Sequence, residues 1–231
     1  MSDAVPFRTD RRTGKLRAPR NTAPVGAGPW DVKRVHPPLY GPSNREWELI
    51  EVPAQRFIAL EGAGDPNTSA AYVEAVEALY AVAYAIKFAC KRALGREMVV
   101  APLECLWYAD DASGFRAGAK AEWKWTRLSG QPDWVTDAVI AEAIAGALVK
   151  KKLPALAGVR VETLEEGLSA QVLHLGPYGD EAPVLARLHG EFLAEHGLRG
   201  NGRHHEVYLG DPRRAAPATL KTVLRQPVAP V

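Results

Sequence analysis

Two glutamates interrupt segments of this chain that are otherwise apolar and aromatic. One segment reads LECLWY around Glu104, and the other reads HEVYL around Glu206. Both segments have the composition of strands, and strand side chains alternate between two faces. We therefore expect Glu104 to share a face with Tyr108. By the same spacing, Glu206 shares a face with His204 and Tyr208.

A carboxylate inside an apolar strand is costly unless it is hydrogen-bonded, paired or solvated in a cleft. In an aromatic cleft, an ionised glutamate can neutralise a cationic ligand, and one with a raised pKa can act as a general acid or base. Tyr208 could donate a hydrogen bond to a ligand carbonyl. The pattern predicts Glu206 and Tyr208 as catalytic residues and Glu104 as a ligand-binding residue. The alternative is that both glutamates lie on edge strands in water.

Aromatic side chains are concentrated near the first of these segments, within 28 residues: Trp107, Tyr108, Trp123, Trp125 and Trp134. Aromatic walls supply apolar contact, stacking and cation–π attraction, which suit a flat ligand. Trp107, Tyr108 and Trp125 are therefore predicted to bind ligand, although part of the set is expected to be core. Tyr178, in a later turn, either reaches the ligand or closes the turn.

Several other kinds of site have little support. His204 and His205 are adjacent and point to opposite faces of a strand, which disfavours a shared metal ion. The chain has no phosphate loop, dinucleotide fingerprint or nucleophile elbow, so we predict no cofactor. Cys90 and Cys105 both lie in apolar runs, which is typical of buried reduced thiols.

The first half of the ordered chain is predicted to run strand–helix–strand–strand. Its elements are a strand over residues 47–61, a helix capped by Asn67 or Thr68 and ended by Gly95, and strands over residues 98–108 and 119–128. The helix assignment depends on one apolar stripe: Tyr72, Val76, Leu79, Ala83, Ile86 and Cys90. A polar turn with Asp110, Asp111, Ser113 and Gly114 joins the two later strands.

The second half repeats this order after a helix over residues 134–150 and a linker with Pro154 and Gly158. Its elements are a strand over residues 168–175, a helix over residues 181–196, and strands over residues 204–209 and 220–225. The strand and turn FIALEGAGDP of the first half correspond to VLHLGPYGD of the second. Duplicated α+β halves commonly pair their sheets and leave a ligand cleft where they meet.

The start of the chain has a different character. Residues 1–40 hold eight Lys or Arg against three Asp or Glu and show no apolar period. We therefore predict a basic, largely disordered extension over residues 1–45, either a solvated tail or a nucleic-acid arm, before one domain over residues 46–228. That domain has halves at roughly 46–130 and 158–228. Without a membrane span or secretory signal in the sequence, the expected location is cytoplasmic, with no membrane partner.

Several motifs taken together resemble the GyrI-like small-molecule-binding domain family, in its stand-alone branch. They are GDPNTS (64–69), PLECLWY (102–108), EWKW (122–125), GPYGDEAP (176–183), HHEVYLGDPRR (204–214) and LKTVLRQPV (220–228). The resemblance implies two β-α-β-β units that form a sheet platform with a central cleft. Glu206 matches the cleft glutamate of the family's last hairpin and Tyr208 its neighbour, whereas Trp107, Tyr108 and Trp125 match aromatic wall positions less closely.

The resemblance implies a ligand that is hydrophobic, or cationic and aromatic. It also implies hydrolysis of cyclopropanoid genotoxins by water addition to the strained ring, a detoxification and self-resistance activity. The alternative is a drug-binding or sensing protein without chemistry. The chain has no helix-turn-helix pattern, so no direct nucleic-acid partner is expected. An interaction with gyrase is suggested only by analogy with the fold.

Overall fold

A computed structural model describes residues 8–9, 16–17, 28–109, 120–212 and 214–231. In chain order, the strands are β1 (Arg8–Thr9), β2 (Leu16–Arg17), β3 (Glu48–Val52), β4 (Gln55–Ala63), β5 (Leu103–Tyr108), β6 (Lys124–Gln131), β7 (Arg160–Leu164), β8 (Gly167–Leu175), β9 (Leu198–Gly200), β10 (His204–Tyr208) and β11 (Lys221–Pro230). The α-helices are α1 (Val32–Val35), α2 (Pro37–Tyr40), α3 (Ala70–Leu94), α4 (Asp137–Lys150), α5 (Ala182–Arg187) and α6 (Leu193–Glu195). A π-helical turn, Leu188–Phe192, separates α5 from α6. The described 3-10 helices are Lys120–Glu122, Pro154–Gly158, Tyr178–Asp180 and Pro217–Thr219.

The chain divides into two compact units. The Trp125 unit consists of residues 25–35 and 55–164, and the Glu206 unit consists of residues 36–54 and 165–231 with β1 and β2. Strand, helix and two further strands follow one another in both units. The α+β class and the duplicated β-α-β-β order predicted from the sequence are confirmed.

The Trp125 unit contains an antiparallel sheet in the order β5–β6–β4–β7. Its main helix, α3, begins where the Ser69 hydroxyl accepts a hydrogen bond from the backbone N–H of Tyr72. It ends at Gly95, whose φ of 61° is the left-handed conformation that glycine adopts most easily. The buried residues of α3 follow helical spacing and form the core beneath it: Ala75, Ala78, Leu79, Val82, Ala83, Ile86 and Cys90.

The Glu206 unit contains an antiparallel sheet in the order β3–β8–β11–β10, and β9 pairs with the end of β11. The short strands β1 and β2 pair with each other, and β1 also pairs with β3. One face of the sheet packs against the helical segment 182–195. The buried members of that core are Trp47, Ala170, Val172, Leu188, Leu193, Leu198, Leu224 and Val228.

The single strand predicted over residues 47–61 is two strands with different partners. β3 pairs with β8 in the Glu206 unit, whereas β4 pairs with β6 and β7 in the Trp125 unit. Pro53 lies at the break, because a residue without an N–H cannot donate to a ladder. β7 pairs with β4, so β7 belongs to the Trp125 unit although it follows α4 in the chain. The halves predicted at 46–130 and 158–228 therefore differ from the observed units.

Residues 28–45 contain structure where the sequence predicts a largely disordered extension. Trp30 pairs with Met98 through hydrogen bonds to Glu97 O (2.9 Å) and from Val99 N (2.7 Å). The helices α1 and α2 follow. Val32, Leu39 and Tyr40 are buried. Apolar side chains are too sparse here to give a period, so the packing could not be inferred from the pattern.

Other boundaries also shift from their predicted positions. α4 begins at Asp137 rather than at residue 134, because the Thr136 hydroxyl caps it by accepting from the Val139 N–H. The strand predicted over 119–128 starts at Lys124. Asp110, Asp111, Ser113 and Gly114 lie outside the described residues. Of the helices that the structure describes, none has both the length and the apolar character of a membrane-spanning segment.

Candidate functional site

The last hairpin of the Glu206 unit positions a carboxylate between polar and aromatic neighbours. On β10, the two-residue repeat brings His204, Glu206 and Tyr208 to one face. The Tyr208 hydroxyl donates to Glu206 Oε2 at 2.6 Å, and His204 Nε2 lies 3.6 Å from Glu206 Oε1. Only 12% of the Glu206 side chain and 7% of that of His204 are exposed. The face that the alternation predicts for these three residues is therefore observed.

This face of β10 is continuous with the apolar core of the unit. Glu206 lies opposite Leu224 on β11, and Tyr208 lies opposite Thr222. Leu224 and Thr222 are fully buried, and Leu224 packs with the helix residue Leu188. A short hydrogen bond from a phenol to a carboxylate is charge-assisted and stronger than a neutral one. Tyr208 thus stabilises a carboxylate that borders a dry core.

Tyr178 contacts the same group of side chains from the turn after β8. Its ring meets the Tyr208 ring edge to face, with centroids 5.4 Å apart and planes at 78°. Tyr178 keeps 38% of its surface exposed, so it can contact a ligand without any rearrangement. The structure therefore brings Tyr178 together with Tyr208, and its role as a ligand contact stays a prediction.

His189 is a neighbour that the sequence does not single out. It lies in the π-helical turn between α5 and α6, where one extra residue per turn alters the direction of side chains. Burial is the main cause that lowers the pKa of His189, and the charge of His204 lowers it further. The sequence predicts a regular helix over residues 181–196, without a π-helical turn. The proximity of His189 and His204 therefore could not be inferred from the helical period.

The Trp125 unit holds a separate aromatic cluster between α3 and the sheet. Tyr72 stacks on Trp107 at 5.9 Å and 21°, and meets Trp125 edge to face at 5.2 Å. Trp123 contacts Trp107 at 5.6 Å. The guanidinium of Arg127 lies 4.6 Å from the Tyr72 ring centre, a cation–π contact. The structure thus brings Trp107 and Trp125 together, and their role as ligand contacts stays a prediction. Tyr72 and Arg127 also belong to this cluster, although the sequence pattern did not single them out as site residues.

Trp125 is fully buried in this cluster. A Cβ atom at Gly62, on the neighbouring strand β4, would overlap the Trp125 ring. Glycine at this position is therefore required by the close approach of an indole, rather than by the turn in which the sequence places it. Among the described residues, the Trp125 indole N–H has no hydrogen-bond acceptor.

Glu104 lies on the other face of the same sheet. It is fully buried and opposite Leu128, in a core with Leu106 and Phe57. Tyr108 shares this face by the strand period and is half-buried. The sequence reading treats Glu104 and Glu206 as matching positions. In their own units they are not equivalent, because Glu206 lies on the helix-packed face of its sheet and Glu104 lies on the face away from α3.

A buried charge network occupies the second face of the Glu206 sheet. Glu166 accepts hydrogen bonds from Arg225 Nη1 at 3.1 Å and contacts His205 Nδ1 at 3.0 Å. Arg225 Nη2 also donates to the backbone oxygen of Leu39 at 2.8 Å. Gln171 Nε2 donates to the backbone oxygen of Pro38, also at 2.8 Å. The network thereby fastens α2 to this face.

Within this network, the side chains of Glu166, Arg225 and His205 are 2%, 1% and 0% exposed. Burial alone would raise the pKa of Glu166, but the charges and hydrogen bonds of His205 and Arg225 lower it to about 2. Sequence reading missed this group because its members lie far apart in the chain and follow no common spacing. Over the described residues, no three His, Cys, Asp or Glu side chains cluster as a metal site would require.

Comparisons with known proteins agree on the fold. A family model for the GyrI-like small molecule binding domain matches residues 45–229. An uncharacterized conserved protein from Listeria innocua is 37% identical, with a TM-score of 0.79 over 87% of this chain and 100% of that one. A hydrolase from Listeria innocua is 34% identical, with a TM-score of 0.78 over the same shares.

A more distant likeness supports the fold alone. The EcmrR C-terminal domain is 12% identical, with a TM-score of 0.50 over 80% of this chain and 98% of that one. No curated protein matches the sequence. Since the family model spans most of the chain and both Listeria structures match over their full length, the chain belongs to the GyrI-like small-molecule-binding domain family.

Proposed function

We propose that the protein binds planar hydrophobic or cationic aromatic molecules beside Glu206 and hydrolyses cyclopropanoid genotoxins there. One observation carries the proposal: a carboxylate that is only 12% exposed accepts a hydrogen bond at 2.6 Å from Tyr208, whose ring contacts the exposed ring of Tyr178. Two solved structures of hydrolases from Listeria innocua, 34% and 35% identical to this chain over their full length, support an enzymatic role.

Glu206 is the general base in this proposal. It takes a proton from a water molecule as the water oxygen bonds to the methylene carbon of the activated cyclopropane. The cyclopropane C–C bond breaks, and its electron pair moves into the conjugated dienone to give a phenolate. The phenolate then takes up a proton, so the net change is the addition of one water molecule. The ring-opened product can no longer alkylate DNA.

Tyr208 has a positioning role. The sequence reading has it polarise the carbonyl of the ligand, but in this structure its hydroxyl proton is directed to Glu206. The hydrogen bond fixes Oε2 of the carboxylate, and His204 Nε2 lies 3.6 Å from Oε1, the oxygen that we propose takes the proton from water. To polarise a ligand carbonyl, Tyr208 would have to exchange this hydrogen bond for one to the ligand.

Tyr178 is the proposed aromatic contact of the ligand in the Glu206 unit. Its exposed ring beside Tyr208 offers a surface on which a flat molecule can stack. Glu104, Trp107, Tyr108 and Trp125 remain proposals as ligand contacts. Glu104 and Trp125 expose no surface, so a ligand would reach them only after neighbouring side chains moved.

The second candidate function is binding without chemistry. A carboxylate bonded to Tyr208, whose ring in turn contacts Tyr178, is also a site for an organic cation, because carboxylate charge and aromatic ring faces both attract cations. A protein that sequesters or senses cationic aromatic compounds needs Glu206 only as a charge partner. Such a protein would protect DNA in proportion to its own concentration.

Product analysis separates the two functions. The protein is incubated with an excess of a compound bearing a spirocyclopropyl-cyclohexadienone, and ring-opened product is counted by mass spectrometry. Hydrolysis is supported if each protein molecule turns over many molecules of the compound and if Glu206→Gln lowers the turnover rate at least about a hundredfold. The control is Glu195→Gln, an exposed glutamate of the same unit, which should not change the rate. Protection that stops at one compound per protein supports binding alone, and an unchanged rate in Glu206→Gln refutes the role of Glu206.

A further inference from the structure

A groove of about 280 Å³ lies between α5 and the end of β8, within the Glu206 unit. Two arginines flank it, Arg45 from the segment before β3 and Arg187 from the last position of α5. Asn44 and His174 add polar edges, and Val172 and Val184 form an apolar base. The groove therefore combines positively charged side chains with an apolar base.

The charge of the groove is unbalanced. No Asp or Glu is among the described side chains that line it. Arg45 and Arg187 are both exposed, and neither guanidinium makes an ion pair in the part of the chain that the structure describes. Exposed arginines on a protein surface commonly lie beside carboxylates of the opposite sign. Two of them facing one carboxylate-free groove attract an anion.

Backbone and side-chain hydrogen bonds fix the frame of the groove. The Leu173 N–H donates to the backbone oxygen of Ser43 at 2.9 Å, and the Arg45 N–H donates to the Ser43 hydroxyl at 3.2 Å. On the other side, Trp47 Nε1 donates to the backbone oxygen of Val184 at 3.3 Å. Arg187 follows Val184 by three residues, so both lie on the same face of α5. The two arginines are thus carried by elements tied to the same sheet.

We propose that this groove binds an amphipathic organic anion, with its carboxylate, sulfonate or phosphate between Arg45 and Arg187 and its apolar part on Val172 and Val184. Guanidinium groups bind such oxyanions through paired hydrogen bonds. The volume is near the lower end for ligand pockets, which suits one small ring system or a short chain.

The groove is distinct from the Glu206 site in position and in sign of charge. His174 and Tyr208 both lie opposite Thr222, from β8 and β10 on the two sides of β11. Two strand spacings therefore separate them, or about 10 Å. A cation is expected beside Glu206 and an anion in the groove, so the inference does not depend on the proposed hydrolysis.

Fluorescence titration with 8-anilinonaphthalene-1-sulfonate tests the proposal, and N-phenyl-1-naphthylamine serves as the matched probe without the sulfonate. Arg45→Gln and Arg187→Gln should each weaken sulfonate binding about tenfold or more, since each removes charged hydrogen bonds. Arg199→Gln, at an exposed arginine of the same unit outside the groove, should leave it unchanged. Thermal unfolding of each variant establishes that it is folded.

Each result of these titrations either supports or overturns the proposed anion site. Selective loss of sulfonate binding in both groove variants, with the neutral probe unaffected, supports the site. Unchanged sulfonate affinity in both variants overturns it, as does equal loss of both probes, which would indicate apolar binding without the arginines. Inorganic phosphate that displaces the sulfonate probe as well as a naphthoate does would overturn the amphipathic part of the proposal.

Discussion

Replacing Glu166 by Gln perturbs the buried charge network of the Glu206 unit at its centre. The partners lower the pKa of Glu166 from an ordinary 4.5 to about 2, which corresponds to roughly 3 kcal/mol of stability. Because the folded-state pKa is the lower one, this stability is present above the unfolded-state pKa. It is lost as the pH falls from roughly 5 to about 2.

In Glu166→Gln, the charges of Arg225 and His205 stay buried without a carboxylate, at a cost of about 3 to 5 kcal/mol near neutral pH. The variant should also lack the acid-dependent loss of stability that Glu166 gives the wild type. Urea unfolding followed by circular dichroism at a series of pH values measures both effects. Glu165→Gln is the control, because Glu165 is the exposed neighbour in the chain. An acid dependence in Glu166→Gln as steep as in the wild type would refute the assignment of the linkage to Glu166.

Three further substitutions have definite expected results. Gly62→Ala should displace Trp125 and lower the free energy of unfolding by about 1 to 3 kcal/mol, seen in tryptophan fluorescence and urea unfolding; an unchanged emission spectrum would contradict the contact. Ser69→Ala should cost about 1 kcal/mol through the lost cap of α3, and a stability equal to that of the wild type would contradict the capping role. Tyr208→Phe should slow hydrolysis of the cyclopropanoid substrate about tenfold by releasing Glu206, whereas an unchanged rate would remove Tyr208 from the mechanism.

The fold could be predicted from the sequence where the spacing of apolar residues indicates which side chains are buried. α3 shows one apolar stripe over its 25 residues, and β10 alternates as expected. The partner of a strand has no such signature. β3 and β4 are adjacent in the chain and similar in composition, yet β3 pairs with β8 whereas β4 pairs with β6 and β7.

The candidate site was predictable to the same extent. The spacing places Glu206 and Tyr208 on one face, and the structure adds their hydrogen bond. The similar spacing around Glu104 suggested a matching site, but a period of two says which residues share a face and not which face the helix covers. The shared cleft between the halves stays a prediction. Glu166 could not be found from spacing, because its partner Arg225 lies 59 residues away.

Two carboxylates of the Glu206 unit show why burial alone does not mark a functional residue. Glu166 is held by the cationic side chain of Arg225 and by His205, so the folded protein has already neutralised its charge, and a ligand would have to displace them. Glu206 accepts a hydrogen bond from the neutral hydroxyl of Tyr208, and His204 Nε2 lies 3.6 Å from its other oxygen. The Glu206 side chain keeps 12% of its surface exposed, against 2% for Glu166, so a ligand or a water molecule can reach Glu206 more readily. For this reason we assign stability to Glu166 and propose chemistry at Glu206.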